Sequence, residues 1–277
     1  MKTMVLLAAA GSLLVWPATE TISTPGLTQA PASGRVLSLD DFSWHKRMTP
    51  GQTLEIKGVN GSITATFADG DEAEVTATKR ARRSDVEDVK IQVVEENDRI
   101  TICAVYPTPR NSRQENECAG GHEGHMNTQD NDVTVTFTVK IPRGVRYIPR
   151  TVNGDVRAAA LKSDVIASTV NGSIRLSTTG KAEATTVNGD IDAAMGNADW
   201  EDDVSFTTVN GGITLDLPSS VNAQLRASTV NGDISTDFPV TVTGRFGPRK
   251  VSGTLGRGGH ELELETVNGS IALRKTQ

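Results

Sequence analysis

Aromatic residues make up only 4% of the 277-residue chain, too few to line its length with stacking platforms for single-stranded nucleic acid or sugar rings. Positive charge is also short: 28 Lys and Arg face 34 Asp and Glu, and the net charge of −6 has the wrong sign for a surface that neutralises phosphates. Two cysteines cannot staple a disulfide-dense miniature fold. One apolar run alone approaches membrane length, Met4 to Trp16, and its ~13 residues fall short of the roughly 20 that a spanning helix needs.

What is present begins with an address. Lys2 ahead of that apolar run is the pattern of a secretory signal. We expect a signal peptide over residues 1–18, with cleavage anywhere up to 32 because Ala30-Pro31-Ala32 is the better small-x-small site. A linker rich in Thr, Pro, Ala and Gly follows over 19–36. No cysteine precedes Cys103, so no lipid-bearing cysteine is expected at the mature terminus. The expected location is the periplasm or the cell surface.

Val-Asn-Gly then occurs seven times, with Asn at 60, 153, 171, 188, 210, 231 and 268. A degenerate copy, Val251-Ser252-Gly253, divides the longest C-terminal gap, so that residues 151–277 read as an array of units of about nineteen residues. Asn-Gly favours two-residue hairpins, but a hairpin would mix apolar and polar residues on both faces. If the chain instead runs on through an open corner, Val170, Ile174 and Leu176 share even spacing and point inward together. The expected fold is therefore all-β: a parallel β-solenoid, or β-helix, of about nineteen residues per coil, preceded by a region of longer strands.

In that geometry the seven Asn side chains stack as an amide ladder, each Asn in a left-handed or irregular conformation, with Ser252 its weak rung. The residue after Gly, reading Asp155, Ser173, Asp190, Gly212, Asp233, Thr254, Ser270, never places two carboxylates on neighbouring rungs, as stacking demands. Residues 37–150 alternate at Val89/Ile91/Val93, Ile100/Ile102/Ala104 and Val133 to Ile141, and are expected to lead into or cap the solenoid. Leu273-Arg274-Lys275 would guard the opposite end.

The segments TLEIKGVNGSITAT, EVTATKRARRSD, TICAVYP and TVNGDV with its echoes resemble the bacterial putative-adhesin family of exported β-strand-repeat proteins, a domain of unknown function. The resemblance covers about residues 50 to 275. It implies a non-enzymatic solenoid at the cell envelope and offers no catalytic residues.

Candidate chemistry is sparse. Cys103 and Cys118 bracket a polar, Pro-containing loop and read as a disulfide in an exported protein. The competing use of Cys118 with His122 and His125 as metal ligands lacks a fourth donor, and the expectation is no metal. Asp199, Glu201, Asp202 and Asp203 lack the spacing of a calcium loop. Asp155, Asp190 and Asp233 could pair as glycosidase carboxylates, but they obey the repeat where a catalytic site would break it. Lys79, Arg80, Arg82 and Arg83 are followed by Asp85, Glu87 and Asp88, which neutralise them locally. No cofactor is expected. The partner would be an envelope component, polysaccharide or protein, or a second copy of the chain. A carbohydrate-active enzyme or polysaccharide-binding module on a β-helix, or an envelope-stress sensor, are the rival functions.

Overall fold

The computed structural model describes residues 37–121, 124–242 and 249–276. The expected signal peptide and linker, and His122, lie outside the described residues. Among the described residues strands dominate, with a single 3-10 turn at Val86–Asp88. They form two sheets whose inner faces enclose one core.

The first sheet has ten strands in the spatial order Leu37–Arg47, Glu72–Ala81, Thr134–Ile141, Ile63–Phe67, Val156–Leu161, Ile174–Thr178, Ile191–Met195, Ile213–Leu217, Ile271–Lys275, Ile234–Thr236. The second has eleven: Thr241–Val242, Lys250–Leu255, Ala223–Asn231, Glu261–Asn268, Val204–Thr207, Ala182–Thr185, Val165–Ser168, Arg146–Arg150, Thr53–Lys57, Arg99–Val105, Lys90–Glu96. Every pairing in the middle of each sheet is parallel, and each coil gives one strand to each sheet. This is the all-β parallel solenoid that the repeat predicts. Both sheets run unbroken across position 150: Arg146–Arg150 pairs with Thr53–Lys57, and Val156–Leu161 with Ile63–Phe67.

Register stacks like on like. Ile63, Val156, Ile174, Ile191, Ile213 and Ile271 form one inward row in the first sheet, each at most 1% exposed. In the second, Leu54, Tyr147, Val165, Ala182, Val204 and Leu262 form its counterpart. A neighbouring row of the second sheet sets the small Ala167 and Ala184 beside the large Phe206, which lets the two faces interdigitate at interior density.

Antiparallel strands close the ends. Leu37–Arg47 and Glu72–Ala81 cap the first sheet at one end, and Lys90–Glu96 caps the second through the two-residue turn Asn97-Asp98. At the other end the expectation for Leu273-Arg274-Lys275 fails, because Ile271–Lys275 lies inside the first sheet, between Ile213–Leu217 and Ile234–Thr236. Lys250–Leu255 has already folded back antiparallel on the outer edge of Ala223–Asn231. With that outer edge occupied, the last coil lies between its two predecessors. The exposed edge of the first sheet is instead a three-residue strand, short enough to be a poor template for another chain.

Candidate functional site

The repeated motif forms one straight corner of the solenoid. Asn153 Nδ2 donates to Asn60 Oδ1, Asn171 to Asn153, Asn188 to Asn171, Asn210 to Asn188, Asn268 to Asn210 and Asn231 to Asn268, every bond 2.8 Å long. All six bonds run in the same sense, so their dipoles add and each amide polarises the next. Spatial order departs from chain order at the end, Asn268 preceding Asn231, because of the inserted coil.

Three details of the corner correct the sequence reading. First, Ser252 is not a rung: it sits in the antiparallel strand opposite Arg226, where the fold-back takes it away from the corner. Second, of the left-handed or irregular conformations expected for the motif Asn the left-handed one is not adopted, positive φ among described non-glycine residues being confined to Asn97, Asp130 and Ala160. The Gly relieves crowding between coils at the corner, as expected. A Cβ on Gly172 would meet the backbone carbonyl carbon of Gly154 at 2.5 Å, and the same crowding recurs up the stack. Third, in five of the seven copies the motif Val points out, Val59 of the first being buried. Val152, Val170, Val187, Val209 and Val230 are 36–55% exposed, while Thr151, Thr169, Thr186, Thr208, Thr229 and Thr266 beside them are buried.

The reason for the inversion is hydrogen bonding. Each Thr hydroxyl donates to the glycine carbonyl of the coil beneath, Thr208 to Gly189 at 2.9 Å and Thr266 to Gly211 at 2.8 Å. That carbonyl is turned out of the sheet ladder by the corner, and the Thr hydroxyl supplies its partner. Valine cannot supply a donor, so the parity shifts across the corner, and Thr169 and Ile174 both face in.

Two of the three carboxylates after Gly, Asp155 and Asp190, are spent in the same way. Their spatial order, Asp155, Ser173, Asp190, Gly212, Ser270, Asp233, still separates every pair. Asp155 accepts from the Ser173 N–H at 3.0 Å and Asp190 from the Gly212 N–H at 2.8 Å, while Ser173 and Ser270 hydroxyls accept from Asp190 and Asp233. These groups tie coil to coil.

Cys103 and Cys118 are joined by a disulfide, Cα to Cα 5.7 Å. Cys118 therefore has no thiolate to give a metal, and His125 instead bridges Glu117 through its backbone. The basic cluster divides: Lys79 is buried against Glu87 and the Val89 carbonyl, and the backbone N–H groups of Arg82, Arg83 and Ser84 point at Asp132. Those donors, Ser84 first, hold the Asp132 carboxyl below its ordinary range. Asp203 accepts from the Glu261 N–H at 2.8 Å and Asp202 lies 3.7 Å from Lys181.

Sequence reasoning missed Glu55. It lies on the outer face of Thr53–Lys57, yet its side chain is fully buried beneath the disulfide loop. It accepts from Arg99 Nη1 at 2.9 Å, Arg150 Nε at 3.0 Å and the Gly121 N–H at 2.8 Å. Lys57 Nζ, 3.9 Å away, also donates to the Ala119 carbonyl at 2.6 Å. Burial lowers the Lys57 pKa, and Glu55 partly restores it. The only hint in the sequence is the alternation Leu54, Glu55, Ile56, Lys57, which puts the carboxylate on the wet face; nothing in it shows that a loop sixty residues on will cover that face.

Together these features define a two-sheet parallel β-solenoid with a Thr/Asn-laddered corner and a disulfide-pinned loop over one face. The chain belongs to the Toastrack DUF4097 family, whose model matches residues 122–274. Among solved structures it is similar to a putative cell adhesion protein from Clostridium sporogenes, 11% identical with a TM-score of 0.43, over 85% of this chain and 99% of that one. A putative adhesin from Bacteroides fragilis is 10% identical with a TM-score of 0.36, over 88% and 98%. A putative lipid binding protein from Parabacteroides distasonis is 9% identical with a TM-score of 0.25, over 85% and 97%. No curated protein matches the chain.

Proposed function

We propose that this is an exported, non-enzymatic, adhesin-like scaffold of the bacterial cell envelope, with residues 1–18 directing export, 19–36 a tether and 37–150 leading into and capping the repeat coils of 151–277. One observation carries the reading: the signature residues of the repeat spend their hydrogen bonds on the neighbouring coil. The Thr, Asn, Gly and Asp of the motif thereby build a stiff rod rather than a reactive centre. What the corner turns to solvent is a row of Val beside a row of amides, about 29 Å long for six steps of ~4.8 Å. The disulfide supports an oxidising compartment. Among the described residues no helix is long and apolar enough to cross a membrane.

Cell fractionation with thiol labelling tests the placement: the protein should enrich with the envelope and carry no free thiol. Recovery in the cytoplasm with both cysteines reduced would refute it. Turnover assays across pectins, glycans and peptidoglycan should be blank, and any turnover abolished by Asp155→Asn or Asp190→Asn would restore the enzymatic alternative.

A further inference from the structure

Next to the covered Glu55, the outer face of the second sheet opens into a pocket of about 500 Å³, within the usual range for small ligands. Register sets its contents. One row across the sheet reads Glu55, Ile148, Ile166, Glu183, and the next reads Lys57, Arg150, Ser168, Thr185. Two strand-widths of apolar floor are thus bounded by a buried carboxylate on one side and Glu183 on the other, with hydroxyls and guanidinium along the rim.

Arg150 spends its Nε on Glu55, and among the described residues its terminal Nη groups have no other partner. Arg146, on the same face of the same strand, forms no ion pair among the described residues. Arg99 lines the same pocket, its Nη1 fixed by Glu55. Three guanidiniums therefore meet around one opening, in a chain whose net charge is −6. A buried Glu orienting two of them is a preorganised oxyanion fork.

We propose that this pocket binds an acidic saccharide: its carboxylate lies on Arg146 and Arg150, the apolar C–H face of its ring on Ile148 and Ile166, and its hydroxyls at Ser168 and Thr185. The floor is about two strands across, roughly 10 Å, which suits a ring and is too short to lay a long acyl chain along it. Beyond it the outer face stays acidic, with Glu263 level with Glu183 and Glu265 level with Thr185 two strands further on, so an extended anionic membrane would be repelled where a single acidic ring is not. The inference deepens the envelope reading by naming what the scaffold takes.

The test is titration of the purified full chain with oligogalacturonate, its neutral methyl ester, a sulfated disaccharide of similar size, and anionic lipid vesicles. Saturable binding of the oligogalacturonate, at least ten-fold tighter than of the ester, is expected. Arg146→Glu and Ile166→Glu, both on the solvent side, should each weaken it ten-fold or more with the melting temperature unchanged, while Arg175→Glu on the other sheet leaves it alone. Equal binding of ester and acid, preference for the sulfated sugar, binding of vesicles alone, or no binding to the folded protein would each overturn the proposal. A negative titration with envelope fractionation still positive removes the pocket and spares the scaffold; cytoplasmic recovery removes the scaffold whatever the titration gives.

Discussion

Replacing Gly211 by alanine, with Gly212→Ala as its neighbour control, measures whether the corner is held by contact between coils. Neither glycine has a positive φ among the described residues, so alanine carries no conformational penalty at either position. At Gly211 a Cβ would lie 2.5 Å from the carbonyl carbon of Gly189, and closer still to its oxygen. That carbonyl already accepts from Thr208 at 2.9 Å, and its neighbours hold the Asn188–Asn210 rung. The coils would have to part by more than about 1 Å, in a stack with no slack. At Gly212 the nearest atom is the Ser270 carbonyl oxygen at 3.1 Å, which a small shift accommodates. Overpacking of this severity costs ~3 kcal/mol or more, or roughly 6–12 °C of melting temperature for a chain of this size. The Gly212 change, which restricts the unfolded chain, should fall within ~1 kcal/mol of neutral. Thermal unfolding followed by circular dichroism reads both. If the two variants melt within 2 °C of each other, the contact argument for the motif glycine is wrong.

Four further outcomes are expected. Thr208→Val, which keeps the shape and removes the donor to Gly189, should cost ~1–3 kcal/mol in denaturant titration, and Thr208→Ser should retain most of that; equal losses would point to packing instead. Reducing the disulfide should lower stability by ~3 kcal/mol on the chain-entropy account and expose residues 106–133 to protease before the rest of the chain, as cleavage mapping would show. Deleting 261–277 uncovers the parallel edges of Val204–Thr207 and Ile213–Leu217, so size-exclusion chromatography should report association; a stable monomer would argue that the inserted coil is dispensable. Both tyrosines, Tyr106 and Tyr147, are buried, and burial raises the Tyr106 hydroxyl from 10.0 to about 12 and Tyr147 further. Between pH 10 and 12 the unfolded chain releases phenolic protons that the folded one keeps, so stability falls as pH rises through that window. Phenolate absorbance should therefore appear with unfolding, and a reversible titration near pH 10 in the folded state would refute the burial.

The parallel stack was readable from the recurrence of Val-Asn-Gly because each coil must turn the same corner, and a recurring corner motif places identical residues one above another while the arcs between them vary in length. The facing of the corner was not. Even spacing put Val170 inside with Ile174, whereas the structure puts Thr169 there, since hydropathy ranks valine over threonine but cannot see an unpaired carbonyl on the coil below. Ser252 misled for a related reason: Val-Ser-Gly matches the motif locally, and only the fold-back of Lys250–Leu255 onto Ala223–Asn231 removes it from the array.

Sequence alone determined that this chain is a stack of β coils, that its polar motif lines up along one edge, and that its cysteines flank a single loop. Each of these depends on separation along the chain, and separation is visible in one dimension. Tertiary structure decided the order of the last two coils, the burial of Glu55 and the gathering of Arg99, Arg146 and Arg150 around a pocket. These arise when strands distant in sequence compete for the same edge or a loop folds across a distant face, and no local pattern records which one arrives.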